Sequence, residues 1–251
     1  MSESKRRVIA IAVILIWLAV GYVFASEPRT FESGETQNSL LELFTSEGCS
    51  SCPPAEKWLS ALKSSQELWK QTVPVAFHVD YWDHLGWRDR FAKPEFTSRQ
   101  QRYAVTWGGE SVYTPGFVVN GKEWRDWFVG TAVPTSSTRV GVLRVSLGDD
   151  GKLTATFVPE TKQPRALVLD VALLGKDLES DVKRGENSGR KLRHDFVVLD
   201  LISIDMTNES NRWTGSVALP MQSSADKPSA IAAWITEGRT PIQATGGWLQ
   251  R

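Results

Sequence analysis

The chain has 251 residues, enough for one large domain or two ordinary ones, and 41% apolar content with 12 Pro and 19 Gly excludes a disordered, collagen-like or membrane-bundle chain. Its 29 Lys and Arg balance 29 Asp and Glu, and no block of like charge stands ready to neutralise a run of phosphates, so nucleic acid is not an expected partner. Eleven Trp fit buried anchors or rings at a recognition surface, and the two Cys form a single C-x-x-C pair.

Residues 1–25 read as an address. Lys5-Arg6-Arg7 is a positive n-region, Val8 to Val20 is uncharged and apolar, and Val23-Phe24-Ala25 supplies small residues for cleavage. The uncharged run Val8–Ala25 approaches the length of a spanning helix, so the segment is a signal peptide or, uncleaved, an N-terminal membrane anchor. The expected location is periplasmic or secreted, with anchoring to the inner membrane by residues 8–25 if the segment is kept. That is the only membrane contact expected. Removing Lys5, Arg6, Arg7 and Glu3 takes two positive units from a net charge of +0, leaving −2.

Leu40 to Thr45 is a short apolar run that suits a buried strand, Ser46-Glu47-Gly48 turns, and Pro53-Pro54-Ala55-Glu56 opens a helical pattern with Trp58, Leu59 and Leu62 on one face. Cys49 and Cys52 fall between strand and helix. As a staple the pair is weak, because a bridge across four residues removes only about 2 kcal/mol of unfolded-chain entropy where one across ~100 removes about 4.7. A redox dithiol, half of a metal site and an inert local disulfide remain, the redox reading being favoured. Proline fits a helix's first turn, which places Cys52 at or beside the cap and Cys49 just ahead of it. The helix's positive end lowers a thiol's pKa there, making Cys49 the exposed nucleophile and Cys52 the resolving thiol. Glu42, on the strand, reads as half-exposed, with a buried proton relay as the alternative.

Val73 to Val79 is a second strand. After it, Asp80 to Asp89 mixes Trp, His and carboxylates in a loop. His78, Asp80, Asp83 and His84 have ligand chemistry and with the cysteines would make a copper or zinc site. The blander reading has His78 hydrogen-bonded and partly buried and the loop packed over the sheet edge. Pro94 to Trp107 is helical, Val112 to Val119 a strand opening on Thr114-Pro115, and Asn120-Gly121 the signal of a tight hairpin. Residues 131–138 read as a linker. From 139 onward, seven strands are predicted: Arg139–Leu147, Leu153–Val158, Ala166–Leu174, Phe196–Ile204, Trp213–Leu219, Ala230–Ile235 and Ile242–Leu249. The charged stretch Lys183 to His194 reads as a solvated hairpin loop. No catalytic triad, P-loop or dinucleotide fingerprint is present.

The order strand, C-x-x-C, helix, strand, helix, Thr-Pro, hairpin over roughly residues 40–130 resembles the thioredoxin fold. More closely, LELFTSEGCSSCPPAE (41–56), FHVDYWDHLGW (77–87), SVYTPGFVVNG (111–121) and GENSGR (185–190) resemble a bacterial family of exported thioredoxin-like proteins of unassigned function. The resemblance implies that Cys49 attacks, Cys52 resolves, and Thr114 pairs with substrate backbone beside a cis-Pro115. Gly48 stands where thioredoxins carry Trp, and Ser50-Ser51 replaces Gly-Pro.

The expected architecture is therefore an α/β thioredoxin-like domain over 39–130, followed by an all-β sandwich-like domain over 139–251. The expected activity is thiol–disulfide exchange with exported proteins bearing thiols or disulfides. No metal is assigned and no cofactor is required, since a dithiol carries two electrons itself. A thioredoxin-fold metallochaperone and a non-catalytic adaptor with a vestigial pair are the alternatives.

Overall fold

The computed structural model describes residues 28–160, 166–221 and 226–249. The leader read over residues 1–25 lies outside them. Among the described residues no helix is long and apolar enough to cross a membrane.

In chain order the elements are β1 (Arg29–Glu32), β2 (Ser39–Thr45), α1 (Cys52–Ala61), β3 (Thr72–His78), α2 (Pro94–Thr106), β4 (Gly116–Val119) and β5 (Lys122–Trp124). Then follow β6 (Gly141–Leu147), β7 (Lys152–Pro159), β8 (Val168–Gly175), β9 (Leu178–Asp181), β10 (Lys191–His194) and β11 (Val197–Asp205). The last four are β12 (Thr207–Glu209), β13 (Arg212–Ala218), β14 (Ala230–Glu237) and β15 (Thr240–Trp248).

An eight-stranded sheet runs β15-β14-β8-β11-β3-β2-β4-β5; a five-stranded sheet runs β1-β6-β7-β13-β12, and β9 and β10 form a separate ribbon. Fifteen strands against two α-helices make the chain predominantly β among the described residues. This corrects the expected fold class. The β2–β5 segment is not a free-standing α/β thioredoxin-like unit followed by a sandwich, because its strands are half of a sheet whose other half comes from residues 168–248. The physical reason lies in β8 and β14, VLDVALLG and AIAAWITE, which are buried over all but one residue each. A strand covered on both faces belongs in the middle of a sheet, whereas a sandwich strand with one wet face alternates. Clear alternation appears in β6 and β7, and in the short ribbon strand β10.

Parallel β2 and β3 meet antiparallel β4 on one side, and β3 meets β11 in parallel through the Val197–Ala76 pair on the other. Leu143, Val145, Phe157, Leu169 and Ile231 fill the space between the two sheets. On β2 and β3 the two faces diverge, as the pleat requires. Leu40, Phe44, Val75 and Phe77 pack with Phe96 and Tyr103 of α2, while Leu41, Leu43 and Ala76 pack with Ala55 and Leu59 of α1. Thr45 and His78, paired across the strands at their C-terminal ends, therefore share the α1 face.

Candidate functional site

Ser51 caps α1 and Cys52 is its first residue, with prolines following in the first turn where no N–H needs an intrahelical partner. Cys49 lies three residues earlier in a turn closed by its own N–H to Ser46 O (3.2 Å) and by Cys52 N–H to Cys49 O (3.3 Å). Gly48 has to be glycine for a packing reason: an added Cβ would stand 2.9 Å from Trp82 Cβ. Trp82 in turn donates its Nε1–H to Thr114 Oγ1 (2.8 Å), so the loop after β3 holds Thr114 in place. The Thr114–Pro115 peptide is cis. Cys49 Sγ–H points to Thr114 O at 3.8 Å and lies 3.3 Å from Ser51 Oγ. The structure thus brings all four expected site residues, Cys49, Cys52, Thr114 and Pro115, to one place.

Their electrostatics differ sharply. The hydrogen bond from Cys52 stabilises a Cys49 thiolate and, helped by Ser51 and Thr114 against the opposing pull of burial, lowers its pKa to about 6. Burial pushes the Cys52 thiol well up, and the neighbouring Cys49 charge pushes it further. One expectation is corrected: Cys49 is not exposed, with 1% of its surface accessible. We expect alkylation of the reduced chain by iodoacetamide to titrate Cys49 with a midpoint near pH 6, rising about tenfold per pH unit below it. A midpoint near that of a free thiol, or first labelling at Cys52, would contradict the assignment.

The backbone of the C-x-x-C turn is also held from far along the chain. Asn187, fully buried, donates its amide to Glu47 O and to Cys49 O, both at 2.9 Å, and Glu186 accepts the Ser50 N–H at 2.9 Å. The stretch read as a solvated loop is thus half solvated and half anchored. Lys183, Arg184 and Glu186 are exposed, while Asn187 seals the C-x-x-C turn.

Beneath the cysteines lies a cluster of buried charge that the sequence reading did not assemble. Glu56, one helical turn after Cys52, accepts from Thr45 Oγ1 (2.5 Å) and from His194 Nδ1 (2.5 Å). Thr45 also lies beside the Cys52 thiol, where its hydroxyl works against the upward push of burial on that pKa. His194 Nε2 lies 3.2 Å from Glu47 Oε1, whose other carboxylate oxygen accepts the Trp87 indole N–H at 2.6 Å. Asp89 accepts from His78 Nδ1 (2.6 Å) and from the Glu47 backbone N–H (2.8 Å). Burial alone would strip His194 of its charge, but the Glu56 carboxylate, aided by Glu47, raises its pKa to about 10. Burial raises Glu56 too, and the charge and hydrogen bond of His194 overturn that to a net lowering.

The other candidate ligands are dispersed. Asp80 accepts from the Thr97 hydroxyl, Asp83 from the Asp89 backbone N–H, and exposed His84 meets Tyr81 O through Nδ1. Only His78 of that set joins the buried cluster. Glu42 is fully buried rather than half-exposed, accepting from Arg99 Nε (2.6 Å) and Tyr103 Oη (2.5 Å) on the α2 face. That is the face of the sheet opposite α1, which rules it out as a relay to Cys52.

The chain belongs to the DUF1223 family, proteins of unknown function, whose model matches residues 40–236. Two solved structures share its fold. One, from Agrobacterium tumefaciens, is 23% identical with a TM-score of 0.62, over 86% of this chain and 95% of that one. The other, HBP35 of Porphyromonas gingivalis, is 16% identical with a TM-score of 0.58, over 87% of this chain and 77% of that one. No curated protein matches the sequence.

Proposed function

We propose that this chain is a thiol–disulfide oxidoreductase acting on exported proteins, with Cys49 as nucleophile and Cys52 as resolving thiol. The observation that carries the reading is the split between the two sulfurs: Cys49 is lowered to about 6 and Cys52 raised. A thiolate available at neutral pH starts exchange, and a shielded thiol finishes it. The Cys49 thiolate attacks one sulfur of a substrate disulfide, forming a mixed disulfide and releasing the other substrate sulfur as a thiolate. Cys52, giving up its proton, then attacks Cys49 Sγ and expels the second substrate sulfur. Two electrons have moved from the dithiol to the substrate, which ends as a dithiol beside a Cys49–Cys52 disulfide. The reverse sequence oxidises. Thr114 O, in contact with the Cys49 thiol, marks the edge along which substrate backbone lies.

Export rests on the basic and apolar pattern of residues 5–25. A metal carrier built on the cysteines has less support, since the buried metal-competent group contains neither of them.

The test uses the reduced full chain with insulin as the disulfide substrate and dithiothreitol as electron source. Precipitation of the reduced insulin B chain should run about tenfold or more faster than with dithiothreitol alone. Cys52→Ser should accumulate a mixed disulfide with insulin that only added thiol releases. No acceleration by the wild-type chain, and no trapped species with Cys52→Ser, would end the oxidoreductase reading.

A further inference from the structure

The buried cluster beneath the cysteines is out of balance in charge and in hydrogen bonding. Glu47, Glu56 and Asp89 bring three carboxylates, His78 and His194 bring two imidazoles, and none of the five residues is more than 6% exposed. Among the described residues the ion-pair partners of these carboxylates are the two histidines. Three carboxylates thus stand against two imidazoles. Uncompensated charge away from water costs several kcal/mol per ion, so such a cluster calls for a further cation.

The orphaned atoms say where it sits. Asp89 holds the Nδ1 side of His78 and leaves Nε2 as the nitrogen with no hydrogen-bond partner. That Nε2 is buried without a partner, whereas His194 Nε2 meets Glu47 Oε1 at 3.2 Å as an ion pair without hydrogen-bond geometry. A carboxylate behind a histidine whose far nitrogen is free is the arrangement by which proteins orient a metal-ligating imidazole. Glu56, His78 and His194 each bring one ligand atom within 4.8 Å of the others.

We propose that Glu56, His78 and His194 bind a divalent transition-metal cation of the zinc class, with Asp89 orienting His78 and Glu47 flanking His194. Two imidazoles and a carboxylate are a borderline donor set that suits Zn²⁺ or Co²⁺ and offers nothing specific to Cu(I), which prefers sulfur. The three ligands come from α1, the end of β3 and the end of β10, so the ion ties the separate ribbon to the large sheet. Through Glu56 and the Thr45 hydroxyl it stands one side chain away from Cys52 without using either cysteine as ligand. The site is independent of the oxidoreductase reading.

The experiment uses the full chain carrying Cys49→Ser and Cys52→Ser, which removes thiolate ligands, stripped of metal and titrated with Co²⁺ and then Zn²⁺. One equivalent of Co²⁺ should bind, give visible absorption bands of a nitrogen–oxygen site, and be displaced by Zn²⁺. The thermal midpoint should rise with Zn²⁺. His78→Gln in that background should weaken Co²⁺ binding by roughly 100-fold or more, and Asp89→Asn, which keeps all three ligands, by about 10–100-fold. His84→Ala should leave it unchanged. If the cysteine-free chain binds neither ion at roughly 100 µM metal, the site does not exist. Binding that survives both His78→Gln and Asp89→Asn at wild-type affinity would likewise overturn it. Should His78→Gln fail to fold, the titration of the parent chain and the Asp89→Asn comparison decide the question.

Discussion

Cys49→Ser should reduce insulin reduction to the rate of dithiothreitol alone, a loss of the whole acceleration of about tenfold or more, because a serine hydroxyl is not ionised at the neutral pH where this thiol is mostly thiolate. The loss belongs to chemistry and not to folding. Serine is close in size, and the Cys49 backbone bonds to Ser46 and Asn187 do not involve the sulfur. Circular dichroism and the thermal midpoint should stay within the range of a surface change. Cys52→Ser separates from it in kind: attack persists, and the product stalls as a mixed disulfide. If Cys49→Ser still trapped a mixed disulfide with insulin while Cys52→Ser trapped none, the nucleophile would be Cys52 and the polarity of the pair reversed.

A second large effect is expected far from the cysteines. Arg99→Ala should destabilise the chain by about 3–5 kcal/mol in urea unfolding, because it leaves the fully buried Glu42 carboxylate with only the Tyr103 hydroxyl as partner. Arg99 also lies over the rings of Phe77, Tyr103 and Trp234, so its removal loses packing as well as charge. Replacing both partners, Arg99→Met with Glu42→Leu, should recover most of the loss, since what costs is the unpaired ion and not the absence of the pair. Glu42→Gln should leave the alkylation midpoint of Cys49 near 6. A shift of a pH unit or more would place Glu42 in the thiol chemistry after all.

The sequence showed the local pieces well. Proline after Cys52 did start a helix, and Asn120-Gly121, at φ 47° and 80°, does turn a hairpin between β4 and β5. All seven strands expected after residue 139 have counterparts in β6, β7, β8, β11, β13, β14 and β15. Their partners were not readable, because pattern reports which face is apolar and not which strand lies alongside. The continuous burial of β8 and β14 carried a hint that these are interior strands of a larger sheet. The site was legible for the residues within one motif and illegible for those brought in from a distance. His194 stood at the end of a charged run and read as solvated, yet Lys191-Leu192-Arg193-His194 alternates outward and inward, which puts His194 on the same buried side as Leu192. Glu56 follows Cys52 by four residues, the spacing that stacks two side chains on one helix face, and that spacing was the available signal for it. Asn187 gave none. A buried asparagine inside a glycine- and charge-rich loop is set apart only by what it bonds.

The single parallel pair between Ala76 and Val197 bears on the order in which the molecule assembles. As the chain is made from its N-terminus, β2, α1, β3 and both cysteines emerge first. The strand that covers the free edge of β3, and the Asn187 amide that bonds the Cys49 carbonyl, follow more than a hundred residues behind. Contacts so distant in sequence close slowly, since chain entropy has to be lost before they form. During that interval the C-x-x-C turn lacks its Asn187 bonds and a sheet edge is unpaired, and an unpaired edge is hazardous to a nascent chain. The window closes when β11 docks, so variants that delay that docking should show themselves as aggregated chains while the protein that does mature remains normally stable.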